Sequence, residues 1–313
     1  MSAPDVSVVI PARNAASTIE DTLQGLAIQH FGGSFEVIVV DDGSTDTTAR
    51  AARTSAIVDR VLVLNGVGPG RARNAGAECA AAALIAFLDS DCRPTPGWLA
   101  AGCAALQAAD LVMGQTLPRP DQALGAFDRT LRVTGCSPLF ESANLFVRRD
   151  LFERVGGFES WLGPRNGKEL GEDVLFGWRA RRSGARIAAS AEALAHHHVF
   201  PRGPVGFAAE RWRLRYFPAL ARRVPELRTA MFYRRYFLSA RAARFDAAIV
   251  ALLLALTSRR LIITGAAVPY GRIVCNDLHE SNGVTKAGAR VVADTTGFVA
   301  MLWGSARYRS LLI

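Results

Sequence analysis

Three acidic clusters have the residue types and spacing to do chemistry: Asp41-Asp42, Asp89-Ser90-Asp91 and Glu172-Asp173. Carboxylates hold hard divalent cations, and one left free of that duty can take a proton from a hydroxyl. In Asp89-Ser90-Asp91 the single skipped residue lets one carboxylate reach a cation and the other a neighbouring ligand hydroxyl. Two carboxylates directly after the apolar run 84–88 bring no folding benefit, which favours a binding role. Asp41-Asp42-Gly43-Ser44 also reads as a turn with a helix cap, and Glu172-Asp173 as ordinary partners of a helix N-terminus. His196-His197-His198 is either a source of cation ligands or a surface histidine cluster.

Such residues work only if a scaffold brings them to one edge. The runs 6–10, 37–40, 61–64 and 84–88 are short and almost wholly apolar, which suits strands buried on both faces of a parallel sheet. Between the first two, Ser17-Thr18-Ile19-Glu20 has capping-box spacing, and Ile19, Leu23 and Leu26 share one helical face. Residues 70–83, rich in Ala and Arg, bridge the third and fourth strands. This βαβ series predicts an α/β fold with an open, mostly parallel sheet. Asp41-Asp42 and Asp89-Ser90-Asp91 then fall beyond the carboxyl ends of strands, where such sheets bind ligands. Pro118 and Pro120 open an irregular stretch reaching to about Phe140. Gly163, Gly167 and Gly171 read as a glycine-rich lid before a helix whose buried face is Val174, Leu175 and Trp178.

Composition narrows the class further. With 313 residues, half of them apolar, the chain can bury a full core plus an appendage. Five scattered cysteines (Cys79, Cys92, Cys103, Cys136 and Cys275) form no CxxC pair, which argues against a disulfide framework or a structural zinc site. Met1–Asp5 runs into the first apolar pentad without a basic leader, so a cytoplasmic location is expected, peripheral on the inner face of the membrane. Residues 202–244 hold 11 Arg against Glu210 and Glu226, so this window carries the whole net charge of +9. An anionic partner such as membrane lipid suits it, as does a merely solvated helical face. Phe232-Tyr233-Arg234-Arg235-Tyr236-Phe237 has the composition of a helix in the headgroup layer, although packing on protein or in a homodimer would serve equally. No RNP, helix-turn-helix or zinc-finger pattern accompanies it, so nucleic acid is not expected. A span over 247–268 would set Arg259 and Arg260 near the bilayer centre, at roughly 2.5–3.5 kcal/mol each. Residues 276–313 carry no functional signal.

Six motifs taken together carry a resemblance. In order and spacing, residues 6–14, 37–46, 70–76, 87–91, 143–149 and 171–173 resemble the family 2 inverting glycosyltransferases of GT-A fold. The resemblance implies a nucleotide-sugar donor, a divalent cation (Mn²⁺ or Mg²⁺) and a glycan or glycolipid acceptor. It implies that Pro11, Ala12, Arg13 and Asn14 pack around the nucleotide, that Asp42 accepts a hydrogen bond from the base, and that Arg71 or Arg73 lies near the diphosphate or base. Asp89 would face the ribose or sugar, Asp91 would bind the metal, and His197 would complete its coordination. Asp173 matches the general base and Glu172 a residue that orients the acceptor or lid. The chemistry agrees: a hard cation offsets charge on a departing diphosphate, and a poor hydroxyl nucleophile needs a base on the opposite face of the sugar.

The sequence also departs from the pattern. Processive synthases of this family carry QxxRW, whereas Ala208-Ala209-Glu210-Arg211-Trp212 has alanine in place of glutamine, which points to transfer of one sugar, to a lipid-linked or cell-envelope glycan. The expected organisation is a GT-A catalytic domain over 1–225 and a basic, apolar helical region over 226–313 that associates with membrane or dimerises. Two rival readings are a nucleotidyltransferase, which would want a glycine-rich phosphate loop near the N-terminus, and a non-catalytic assembly module with a decayed site.

Overall fold

The computed structural model describes residues 3–162 and 170–313. These pack as two units: the chain up to Leu124 with Thr130–Val199, and Gly125–Arg129 with Phe200–Ile313. Gly163 and Gly167 of the expected glycine-rich lid lie outside the described residues.

In the first unit the runs 6–10, 37–40 and 84–88 become strands buried on both faces, whereas 61–64, expected to be the same, forms an edge strand that stays partly exposed. The strands are β1 (Val6–Ala12), β2 (Phe35–Asp41), β3 (Arg60–Val63), β4 (Leu84–Leu88), β5 (Cys92–Pro94), β6 (Leu111–Pro118), β7 (Asn144–Arg148) and β8 (Ile187–His197). They form one sheet in the order β3-β2-β1-β4-β7-β6-β8-β5. The β3-β2-β1-β4 half is parallel throughout and β6 runs parallel to β8, while β7 opposes β4 and β6 and β5 opposes β8. The result is a mixed, mostly parallel sheet flanked by helices, as the βαβ pattern predicts. Ala12 pairs with Asp41 at the end of β2, and Val9 with Phe87 near the end of β4. The carboxyl ends of β2 and β4 therefore flank β1 on one edge, the placement that binds ligands in open α/β sheets.

The helices of this unit are α1 (Ile19–Ala27), α2 (Thr48–Thr54), α3 (Pro69–Cys79), α4 (Trp98–Ala105), α5 (Arg149–Arg154) and α6 (Glu172–Arg182). Ile19, Leu23 and Leu26 are buried on α1 as expected, but the capping box does not form. Thr18 is the N-cap and makes no side-chain cap bond; its hydroxyl donates to the Ala15 carbonyl instead. Close packing of helix on sheet relies on small residues. A Cβ on Gly102 of α4 would stand 2.2 Å from the Phe146 ring, and one on Gly114 of β6 would stand 2.3 Å from Asn144.

The second unit contains α7 (Pro204–Glu210), a 3₁₀ segment (Arg211–Tyr216), α8 (Phe217–Arg223), α9 (Leu227–Ala230), α10 (Ala240–Ser258), a second 3₁₀ segment (Leu261–Ala267), α11 (Val268–Leu278) and α12 (Gly283–Tyr308). Within the second unit α7, the first 3₁₀ segment and α8 all pack along α12. Arg241 binds Asp277 and Asp294 at 2.8 Å each, and the Tyr270 hydroxyl donates to Asp294 at 2.8 Å. Asp246 lies beside them in the wall of a cavity of about 90 Å³, and its Oδ2 is buried without a hydrogen-bond partner. The segment Phe232–Phe237 is not the expected helix. It folds back on itself as a tight turn, Tyr233 paired with Phe237 and both Arg234 and Arg235 at positive φ, a backbone that no regular helix tolerates. Among the described residues no helix is long and apolar enough to cross a membrane.

Candidate active site

The loop Pro11-Ala12-Arg13-Asn14 leaves β1 and is clasped by the turn after β2. Pro11 and Ala12 are still strand and buried, whereas Asn14 adopts φ 51°. Its amide donates to the Ser44 hydroxyl at 2.9 Å, and its side-chain oxygen accepts from the Thr45 amide at 2.9 Å. Asp46 accepts from the Ala16 and Thr48 amides, completing the clasp. Asp46, one residue before the Thr47 N-cap of α2, and Asn14 are thus held in one turn.

Asp42 is almost fully buried, and both its oxygens are in use. They accept from the Val67 amide at 2.6 Å and the Gly68 amide at 2.9 Å, immediately before α3, with Arg13 at 3.9 Å. Asp41, also buried, accepts a long 3.4 Å bond from the Ser44 amide on Oδ2, and its Oδ1 has no hydrogen-bond partner. Asp42 thus fixes the loop that opens α3, and each of its oxygens keeps a second lone pair that a ligand could use.

The structure also separates Arg71 from Arg73. Arg71 is exposed on α3, while Arg73 is buried and reaches Asp89 at 2.6 Å and Glu172 at 3.4 Å. The Phe158 ring lies 5.6 Å from its guanidinium carbon. Burial disfavours the Arg73 charge, but Asp89 and then Glu172 more than compensate and raise its pKa. Arg73 thus ties the edge of β4 to the start of α6.

Gly171, at φ 79°, turns the chain into α6, a conformation that other residues adopt only under strain. Behind it Glu172 is buried against Arg73 and Asp173 is half-buried, its Oδ1 accepting from the Val174 amide at 2.8 Å. Burial first, and then the neighbouring Glu172 charge, push Asp173 well above the usual carboxylate range. A carboxyl raised in this way is suited to proton transfer.

His197 reaches the Asp89-Ser90-Asp91 turn through strand pairing. In the β5–β8 register Cys92 faces His197, so the ring stands over Asp91, Nε2 lying 3.5 Å from Asp91 Oδ2. Its Nδ1 donates to the His198 carbonyl at 2.6 Å, with the Thr130 hydroxyl at 3.3 Å. That bond places a proton on Nδ1 and orients the ring with Nε2 toward the carboxylate. With a divalent cation bound, Nε2 and the Asp91 oxygen could both serve as its ligands. Among the described residues no three His, Cys, Asp or Glu side chains gather to hold a metal, so water and a ligand's oxygens would have to complete the shell. The other two histidines diverge: His196 pairs with Arg93 on the strand, and His198 Nδ1 meets Gln122 Nε2 at 3.1 Å. Burial, then Arg119, lowers the pKa of both. Thr130 and Phe158 were not legible as site residues. Neither belongs to a motif, and only the folded chain brings them to His197 and Arg73.

Comparison with known proteins agrees with this geometry. The family described as glycosyl transferase family 2 matches residues 7–158. Glycosyltransferase AglE of Haloferax volcanii is 33% identical over 215 residues, covering 64% of this chain and 69% of its own. The pre-mycofactocin glycosyltransferase of Mycobacterium tuberculosis is 32% identical over 214 residues, covering 62% of this chain but only 43% of its own. Among solved structures, the mannosyltransferase PcManGT from Pyrobaculum calidifontis, in complex with GDP-Man and Mn²⁺, matches with a TM-score of 0.69 at 22% identity, over 97% of this chain and 88% of that one. At that identity the likeness establishes a common GT-A fold.

Proposed function

The chain belongs to glycosyl transferase family 2, and from that membership we propose that it moves one sugar from a nucleoside-diphosphate donor to an acceptor hydroxyl with inversion, aided by a divalent cation at Asp91 and His197. The observation that carries this reading is His197 Nε2 standing 3.5 Å from Asp91 Oδ2, the ring oriented by the bond from Nδ1 to the His198 carbonyl. PcManGT, whose structure contains GDP-Man and Mn²⁺, supports the same donor class and cation. When bound, the cation would offset the charge gathering on the departing diphosphate.

The protein's own groups supply the rest. Pro11–Asn14 and the 67–68 loop held by Asp42 line the nucleotide side, and Asp89, fixed by Arg73, faces the sugar. Asp173 takes the proton of the acceptor hydroxyl as its oxygen attacks the anomeric carbon from the face opposite the leaving diphosphate. Glu172, locked to Arg73, keeps the start of α6 in register with the β4 edge. Alanine at position 208 supports single transfer over polymerisation, and we assign the acceptor to the lipid-linked or cell-envelope glycans.

The test is thermal unfolding of the full chain with UDP-, GDP- and dTDP-sugars, each with and without Mn²⁺. A ligand that binds only the native state raises the melting temperature by mass action. A Mn²⁺-dependent rise with one nucleotide class is the expected result. A folded protein that responds to none of them would overturn the proposal in favour of a non-catalytic module.

A further inference from the structure

The second half of α10 inverts the pattern of a water-facing helix. Its buried stripe is Ala248, Ala251 and Ala255, and its outward faces are Leu252, Leu253, Leu254 and Leu256, between 45% and 78% exposed. A helix packed in water buries its large apolar side chains and exposes polar ones. Here small residues make the contact with the second 3₁₀ segment while leucines cover the outside, the arrangement of helices whose surroundings are themselves apolar. The exposed surface continues into Leu261 at 80% and Ile262 at 90%.

Two independent features point to what covers this face. Each hydroxyl between Ala247 and Ala267 is folded back onto its own backbone: Thr257 donates to the Leu253 carbonyl at 3.0 Å, Ser258 to that of Leu254 at 2.6 Å, and Thr264 to that of Leu261 at 2.6 Å. Such bonds, made also by Thr54, Thr295 and Thr296, satisfy the hydroxyls without water, so none of them opposes an apolar medium. The charge is one-signed as well. No acid occurs between Asp246 and Asp277, whereas Arg259, Arg260 and Arg272 do.

We propose that the hairpin formed by α10 and the following 3₁₀ segment lies in the plane of a lipid leaflet with anionic headgroups, its leucines in the acyl boundary and its arginines among the phosphates. The two arginines at the turn exclude end-on insertion, which would carry both into hydrocarbon, and favour the in-plane pose in which their long stems reach the headgroups. This locates membrane contact on residues 250–262 rather than on the Phe232–Phe237 turn.

The experiment is flotation of the full chain with phosphatidylcholine vesicles, with and without phosphatidylglycerol, at low and high salt. It needs neither donor nor acceptor, so its outcome is separate from that of the transfer reaction. The wild type should float with phosphatidylglycerol vesicles, and more strongly at low salt. Substituting Leu253→Ser, Leu256→Ser and Ile262→Ser together should reduce partitioning on the order of a hundredfold, because three large apolar side chains no longer leave water. These side chains are exposed, so unchanged thermal unfolding in solution verifies the fold. Arg259→Gln with Arg260→Gln should weaken binding and flatten its salt dependence. Absence of flotation by the wild type would overturn the proposal, as would full retention by the triple serine variant. A dimer that dissociates in the triple variant, with no vesicle binding by either protein, would assign the face to a second copy of the chain instead.

Discussion

Asp91 and His197 stand 3.5 Å apart, carboxylate oxygen to ring nitrogen, held there by the antiparallel pairing of a three-residue strand with the end of β8. The imidazole proton is committed to the His198 carbonyl on the far side. The pair is thus oriented by strand pairing together with the contacts of Nδ1 to the His198 carbonyl and the Thr130 hydroxyl.

His197→Ala and Asp91→Asn should each abolish the Mn²⁺-dependent part of the donor-induced rise in melting temperature. Loss of cation stabilisation is worth several kcal/mol, so turnover should fall on the order of a hundredfold or more. Persistence of the metal-dependent rise in both variants would remove these residues from the cation site.

Asp173→Asn should lower kcat by about 10²–10⁴, the usual weight of a general base, while leaving the donor-induced thermal rise intact. Because Asp173 binds its proton more tightly than an ordinary carboxyl, the deprotonated, active form accumulates only at higher pH. The rising limb of the pH–rate profile should therefore lie above the usual carboxylate range. Glu172→Gln removes a repulsive charge and should move that limb to lower pH, a shift that a purely structural role of Glu172 would not produce.

Arg73→Met removes the guanidinium shared by Asp89 and the buried Glu172. Removing one partner of a buried ionic cluster costs about 3–5 kcal/mol, to be read in chemical denaturation. Pairing the change with Glu172→Gln should recover part of the loss, and a strictly additive double variant would contradict the coupling.

Asp246 offers a stability test in the second unit. Burial, then the Asp294 charge, raise its pKa from 3.8 to about 7, while Arg241 and Arg211 line the same cavity. A carboxyl raised by folding favours the folded state when protonated, so the Asp246 contribution to stability is fully present below about pH 4 and is lost as pH rises to about 7. The full difference is about 4 kcal/mol. Asp246→Asn should lose this dependence and melt higher than the wild type at pH above about 7. A variant that melts lower there would show that the carboxylate has a partner after all.

Much of the fold was legible because its signals are local. Residues 84–88 form a strand with those limits, and 6–10, 37–40 and 61–64 lie within a residue or two of β1, β2 and β3. Continuous β-branched runs bounded by turns leave little alternative. β8 was not legible: its sequence, Ile-Ala-Ala-Ser-Ala-Glu-Ala-Leu-Ala-His-His, is dominated by alanine, which favours helix, and only pairing with β6 and β5 makes it a strand. The acidic site residues could be picked out by motif, but their partners could not. Nothing near Arg73 in the sequence distinguishes it from Arg71. The difference is helical phase, which turns one guanidinium into the sheet and the other to solvent. The family match ends at residue 158, before Glu172, Asp173 and His197, so the proposed base and the proposed histidine ligand lie outside the matched residues.

The second unit is not a simple tail. Residues 125–129 belong to it although they sit in the middle of the first unit's sequence, with Arg129 exchanging backbone hydrogen bonds with Phe200 and Asp128 accepting from the Arg202 amide. The polypeptide therefore passes from one unit to the other three times. A module stitched in this way cannot be acquired or lost by a single fusion at its end. Any chimera that exchanges it between relatives must swap the internal loop and the C-terminal segment together, and the two stretches would be inherited as one unit.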